Sequence, residues 1–267
     1  MIFLISLNLL LGIIFLFTGI KFSKILIDKN IKILFGCLLF ALCIPSIIVI
    51  VYNSISTPPI WYIKFRSNSI CNAISYSAAS LWCLFIGFIT RKKSTSKVRW
   101  PLFNKFFYLI GILLVLASLI DQLFPVYYFY KLHDEWANNV CIQTSSVTCA
   151  PASVATVLKY FNIDRTESEI AHSVNTTIFG TNIWDTIKYL RDNHLNVECT
   201  YNKDINNIHL PAIIDVYIYN IKHAIVIFEK ERDIFLIGDP LKGMEKLSYD
   251  EFYNIYKFDG LAIQINK

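Results

Sequence analysis

A chain of 267 residues that is 55% apolar and only 17% charged is too apolar for one water-soluble domain and too long for a lone membrane anchor. Its net charge of +5 conceals an asymmetry: residues 1–131 hold 13 basic and 2 acidic side chains, whereas residues 132–267 hold 12 and 18. The basic excess flanks apolar stretches and gives no reason to invoke nucleic acid, and the lack of CxxC or His/Cys pairs at ligand spacing gives none to invoke a metal or other cofactor.

Four apolar stretches, at about residues 2–20, 33–52, 70–90 and 106–126, are each long enough to cross a hydrocarbon core of about 30 Å. Residues 1–130 are therefore expected to form an all-α transmembrane region of four helices. The first stretch lacks the basic n-region and small-residue cleavage site of a secretory signal, so it reads as a retained helix. Pro45 would kink its span, Ala73, Ser77, Ala78 and Ser80 would let neighbouring helices approach, and Asp121 reads as an interfacial cap. Cys37, Cys43, Cys71 and Cys83 lie within spans and behave as small apolar side chains. Lys21, Lys24, Lys29 and Lys32 follow the first span, and Arg91, Lys92, Lys93, Lys97, Arg99 and Lys105 follow the third. Only Lys64 and Arg66 follow the second, and Lys131 the fourth. The positive-inside rule then places the first and third loops in the cytoplasm and both termini outside. Tyr127, Tyr128, Phe129 and Tyr130 are expected to line the outer interface, and residues 131–139 to be a short polar link.

The C-terminal domain, residues 136–267, reads as helices followed by strands. In the stretch from Gln143 to Tyr160, Val154, Val157, Leu158 and Phe161 recur at helical spacing behind Pro151, which suits a first helical turn. A short helix at 166–174 carries Glu167 and Glu169 in its first turn, and a third runs from Gly180-Thr181-Asn182 to about residue 193. Strands are expected at 195–201, 212–217, 224–228, 234–237 and 261–265, with a helical turn near 249–256. Pro211 marks the start or edge of a strand. This is an α+β layout with a cleft between helices and an antiparallel sheet, suited to an extended peptide.

The helix start is where the chemistry concentrates. Cys149 stands at the mouth of the first helix, where unpaired N–H groups and the helix dipole favour a thiolate. Gln143, six residues upstream, carries an amide able to donate to a developing oxyanion, as does the backbone N–H of Cys149. A nucleophilic thiol needs a base and the base an orienting group. Of His133, His172, His194, His209 and His223, the last opens an apolar strand, and the adjacent strand ends in Gly238-Asp239-Pro240, which would bring Asp239 beside it. A small apolar Cys opening a core helix, and an Asp that merely starts a turn, are the bland readings of the same residues. Cys141 and Cys199 are the remaining thiols of this half and in principle a pair.

Gln143, Thr148-Cys149-Ala150-Pro151-Ala152, His223-Ala224-Ile225-Val226 and Gly238-Asp239-Pro240 together resemble the C39 family of cysteine peptidases, papain-like domains that cut leader peptides from bacteriocin precursors during export. The resemblance spans residues from about 140 to the end. It implies Cys149 as nucleophile, His223 as general base and acid, Asp239 as orienting group and Gln143 as oxyanion donor. The chain departs from the family in having Thr148-Cys149-Ala150 where Asp-Cys-Gly is common, and Lys222 where a small residue often precedes the histidine. The nearest thing to a phosphate loop, 238–243, is followed by Met244 and Glu245 where Lys and Ser/Thr are needed, so export would rest on separate machinery. The expectation is a multi-pass membrane thiol peptidase acting outside the cytoplasm on a peptide or leader-bearing precursor. Its rivals are a catalytically silent peptide-binding or sensor module, and a small transporter or immunity-like protein whose function lies in the helices.

Overall fold

The computed structural model describes residues 124–267 without interruption, residues 57–69, and elsewhere in the first half residues 14–22, 31, 34–39, 48, 49, 51, 52, 55, 71, 82–88 and 109. The chain divides into two compact units, Met1–Pro58 with Ile70–Leu123, and Pro59–Ser69 with Phe124–Lys267.

In the first unit, residues 14–22, 34–39 and 82–88 are helical. A Cβ on Gly19 would run into the backbone of Leu84 and Phe88, and one on Gly87 into the backbone of Leu16, so these two helices meet backbone to backbone. Such contacts need no hydrophobic driving force, only small residues at the crossing. The expected spans at 2–20, 33–52, 70–90 and 106–126 lie largely outside the described residues, as do Pro45, Ala73, Ser77, Ala78, Ser80 and Asp121. Among the described residues, no helix is long and apolar enough to cross a membrane.

The second unit is an antiparallel sheet with helices on it, an α+β fold. Its strands are β1 (Glu135–Ala137), β2 (Val140–Ile142), β3 (Asn196–Tyr201), β4 (Ala212–Ile218), β5 (Ile221–Glu231), β6 (Ile234–Asp239), β7 (Gly243–Ser248) and β8 (Lys257–Asn266). The helices are α1 (Ile60–Arg66), α2 (Cys149–Tyr160), α3 (Glu167–Ser173), α4 (Ile183–Asp192) and α5 (Tyr249–Ile255). Strands β3 to β8 form one sheet in the order β3-β8-β4-β5-β6-β7, every pair antiparallel. Alternation along β5 divides the core. Ala224, Val226 and Phe228 face α2, α3 and α4, while Ile225 and Ile227 face Phe252 and Tyr256 at α5.

Local chemistry sets these boundaries. Thr166 with Glu169, and Ser248 with Glu251, form reciprocal capping boxes at the starts of α3 and α5. Asn138 and Asn139 turn β1 into β2 with φ of 49° and 64°, and Tyr219 and Asn220 turn β4 into β5 with φ of 49° and 67°. Paired left-handed residues match the twist of a two-residue hairpin, and after Gly it is Asn that tolerates them best. The stretch 131–139, expected to be a polar link, therefore contains a strand and its turn.

Helix α1 comes from between the second and third apolar stretches, yet it packs into this unit. Ile63 is fully buried in the α2–α4 core. The Arg66 guanidinium is buried 4.6 Å over the Trp184 ring and donates to the Tyr62 hydroxyl at 3.0 Å. Tyr62 meets Trp184 edge to face, and Arg191 donates to Ser67 Oγ at 3.1 Å. A cation over indole, desolvated, contributes on the order of 2 kcal/mol. Truncating Ile63 to Ala should lower the stability of the C-terminal unit by about 2–5 kcal/mol. Denaturant titration of the full chain, read by protease cutting within 124–267, measures this, and an unchanged midpoint would mean that α1 contributes nothing to the fold.

Candidate active site

The loop before α2 is held at both ends. Gln143 N–H donates to Pro240 O at 3.0 Å, and Thr144 donates through its backbone to Glu167 Oε1 at 2.9 Å and through its hydroxyl to Oε2 at 2.5 Å. Glu167 is fully buried, so its carboxylate is a structural clamp rather than a surface charge of the first turn. Thr148, also buried, closes the next turn by accepting from Ser145 N–H at 3.0 Å and donating to Ser145 O at 3.1 Å. Cys149 follows as the first residue of α2, half-buried, with Ala150 already inside the helix. The first intrahelical bond runs from Ala152 N–H to Thr148 O at 3.1 Å, leaving the N–H groups of Cys149 and Ala150 ahead of the ladder and Pro151 with none to satisfy. One turn further on, Ser153 Oγ donates to Ala224 O at 3.0 Å and pins α2 beside the start of β5.

His223 lies near that start, opposite Val216 of β4. Its Nε2 and Asp239 Oδ1 are 2.7 Å apart, both groups buried. Asp239 is reached by two further donors, the Tyr256 hydroxyl at 2.6 Å on Oδ2 and the Leu241 N–H at 2.8 Å on Oδ1. The aspartate is thus both the opener of the turn into β7 and the partner of the imidazole. Gly238 is needed because a Cβ there would press on Phe228 and Val140 at 2.9 and 3.1 Å. Burial alone would push Asp239 up, but the hydrogen bonds from His223, Tyr256 and Leu241 prevail and hold it below the usual carboxylate range. Burial would likewise push His223 down, and hydrogen bonding to Asp239 and to Cys149, with the charge of both, raises it instead to about 9. Since Nε2 is committed to Asp239, Nδ1 is the nitrogen left for the sulfur.

The structure therefore brings Cys149, His223 and Asp239 into one constellation, with Gln143 on the loop that leads to the thiol. The Gln143 amide donates to Ser145 O at 2.7 Å through one of its two N–H bonds, leaving the second for another acceptor. His133, His172, His194 and His209 are all exposed, and His172 stacks on Tyr127 with ring centres 3.7 Å apart. Cys141 and Cys199 are separate buried thiols rather than a disulfide; burial pushes Cys141 far up and Cys199 to about 12, which leaves both inert. Lys222 reaches Asp215 at 2.8 Å, and alternation along β5 turns it to the face opposite His223, so its size does not crowd the imidazole. Among the described residues, no group of three or more His, Cys, Asp or Glu is placed to hold a metal ion.

Tyr256, Ser153 and Glu167 are the parts that sequence reasoning missed. Tyr256 sits 17 residues from the carboxylate it serves, at the end of a helix whose apolar spacing marks it only as core. Glu167 looks in sequence like any acidic residue of a first turn. No local pattern separates either from the bland reading.

Residues 137–267 match the sequence profile described as the Peptidase C39 family. A protein of Methanothermobacter thermautotrophicus with no assigned function is 25% identical over 130 residues, which is 47% of this chain and 87% of its own. Two solved structures are similar as well. The peptidase domain of Streptococcus ComA, described as a bi-functional ABC transporter involved in a quorum-sensing pathway, has a TM-score of 0.42 at 20% identity, covering 48% of this chain and 98% of its own. A double-glycine-motif protease from an AMS/PCAT transporter, solved with a leader peptide, has a TM-score of 0.42 at 22% identity, covering 51% and 94%. Residues 137–267 of this chain are a C39 cysteine peptidase domain.

Proposed function

We propose that this chain is a membrane-anchored thiol peptidase that cuts a peptide or leader-bearing precursor at the extracytoplasmic face, working beside a separate export machinery. The observation that carries the reading is the buried His223–Asp239 pair at 2.7 Å with Cys149 acting on the same ring. His223 Nδ1, raised to about 9, already holds the proton it has drawn from the thiol when Cys149 Sγ bonds to the scissile carbonyl carbon. Negative charge gathers on the carbonyl oxygen, where the spare N–H of Gln143 and the backbone N–H of Cys149 donate. Collapse of that intermediate breaks the C–N bond, the imidazolium passes its proton to the leaving amine, and a thioester remains. Water then attacks the thioester with His223 as base, releasing the new carboxylate and the thiol. Asp239 keeps the ring in the useful tautomer throughout, and Tyr256 and Leu241 keep Asp239 in place.

The membrane reading rests on the four apolar stretches and on connectivity. Residues 59–69 and 124–267 belong to one compact unit, so the chain between them must leave and return on the same side, as two crossings at 70–90 and 106–126 would do. The basic loop at 91–105 then favours the cytoplasm for the far side of that excursion and the outside for the peptidase unit. The leader-peptide substrate class comes from the relative solved with such a peptide.

Incubating the full chain with double-glycine leader peptides and with secreted peptides encoded near its gene should yield two fragments, and Cys149→Ala should lose all cleavage. Equal silence of both proteins toward every peptide would leave a binding module. Tyr256→Phe should cost about 1–3 kcal/mol of stability, because a buried carboxylate oxygen loses its donor. It should also lower kcat more than it raises KM, since Tyr256 acts through the imidazole and not on the substrate. Folding raises His223 from 6.5 to about 9, so its pairing stabilises the fold fully below pH 6.5 and is lost as pH rises through about 9. Unfolding midpoints and kcat should both fall over that window, and the stability decline should be absent in His223→Gln.

A further inference from the structure

The end of the fourth apolar stretch is not followed by a free linker. Val126 N–H donates to Thr176 O at 2.9 Å and Ile178 N–H to Phe124 O at 3.0 Å, with Pro125 bridging Thr177 between them. Val126 is fully buried, and Tyr127 is stacked on His172 of α3 rather than left for an interface. The partner segment closes on itself in a tight turn. Thr177 and Gly180 exchange backbone hydrogen bonds at 3.0 Å, Phe179 N–H donates to Thr177 Oγ1 at 3.1 Å, and Gly180 takes a φ of 109° that suits glycine. What this latched turn displays is Phe179, 68% exposed. Its ring meets Phe124 edge to face at 6.3 Å, and Phe124 in turn stacks on Phe129, itself 55% exposed, at 6.3 Å.

We propose that Phe179, with Phe124 and Phe129, is a foot that sits in the headgroup region of the lipid bilayer and fixes the tilt of the peptidase unit over the membrane. The proposal rests on the membrane-anchored reading above. Phe124 lies within the last three residues of an apolar stretch of membrane-spanning length, and even extended chain spans only about 3.3–3.6 Å per residue. A ring touching Phe124 therefore lies at the depth where that stretch leaves the hydrocarbon. Aromatic rings are favoured there, while in water the same cluster leaves all three phenyl rings partly uncovered. The polar latch of the turn matters because a rigid turn presents Phe179 without the entropy cost of ordering it on insertion.

The test uses the full chain reconstituted in phosphatidylcholine–phosphatidylglycerol vesicles, with Phe179→Trp compared against wild type to isolate the added fluorophore. The added emission should be shifted to shorter wavelength, quenched by lipids brominated near the glycerol end, and severalfold less sensitive to acrylamide than in a detergent-free denatured control. Ready quenching by acrylamide, in a chain that still resists carbonate extraction, would overturn the foot and leave the anchor standing. Shielding from both quenchers would mean that protein covers Phe179, as a second copy or a bound peptide would, and would also overturn it. Release of the chain by carbonate would remove the anchored reading and the foot with it.

Discussion

A buried carboxylate is the constraint from which the rest of this unit follows. Asp239 has no exposure to water, and a charge in such a place is tolerable only when its lone pairs are met by donors in good geometry. Three elements supply them: the imidazole from β5, the hydroxyl from the end of α5, and the N–H of Leu241 from the turn into β7. Each donor requires its own piece of topology. The first needs β5 and β6 to be neighbours, the second needs the chain to return under the sheet after β7, and the third needs the turn to open on Asp239 itself. A network of this kind is favourable when complete and costly when any member is missing, so it selects one arrangement of the surrounding strands.

The thiol is brought to that network by a second set of contacts, none of them reactive. Glu167 and Thr148 fix the loop before α2, and Ser153 ties the first turns of α2 to the strand that carries His223. Because loop, helix and strand are each bound through buried polar groups, the sulfur and the ring are placed by the scaffold rather than by their own attraction. Preorganisation of this kind is what the proposed attack of Cys149 with His223 as its partner requires.

The unit that holds the site is assembled from two separated parts of the chain. Helix α1 fills the side of the core formed by α4 and β3, and its arginine is buried against the indole of Trp184. The peptidase fold is therefore completed by a segment lying between two apolar stretches, and the strands that follow residue 124 are joined to the last of those stretches through a hydrogen-bonded bridge rather than a loose tether.

Helix α2, the two capped helices and the strands β3, β4, β5, β6 and β8 were legible in the sequence, while β7 (Gly243–Ser248) was not, because the legible ones depend on neighbours within a few residues: apolar spacing, a Ser or Thr three places before Glu, Gly-Asp-Pro at a turn. The candidates Cys149, His223, Asp239 and Gln143 stood out for a related reason, since each belongs to a short pattern at the edge of such an element, and the fold groups the first three. The hairpin of β1 and β2 was readable in principle from Asn138-Asn139, but its strands are three residues each and carry too little periodicity to declare themselves. Tertiary structure alone decided that Tyr256 holds Asp239, that Glu167 is a buried clamp, that α1 joins the peptidase unit and that Phe179 stands beside Phe124. In each of these cases the partners are separated by more than a turn of helix or a hairpin, and the energy that pairs them is gained only when distant surfaces lose water together, a quantity that no local pattern of residues encodes.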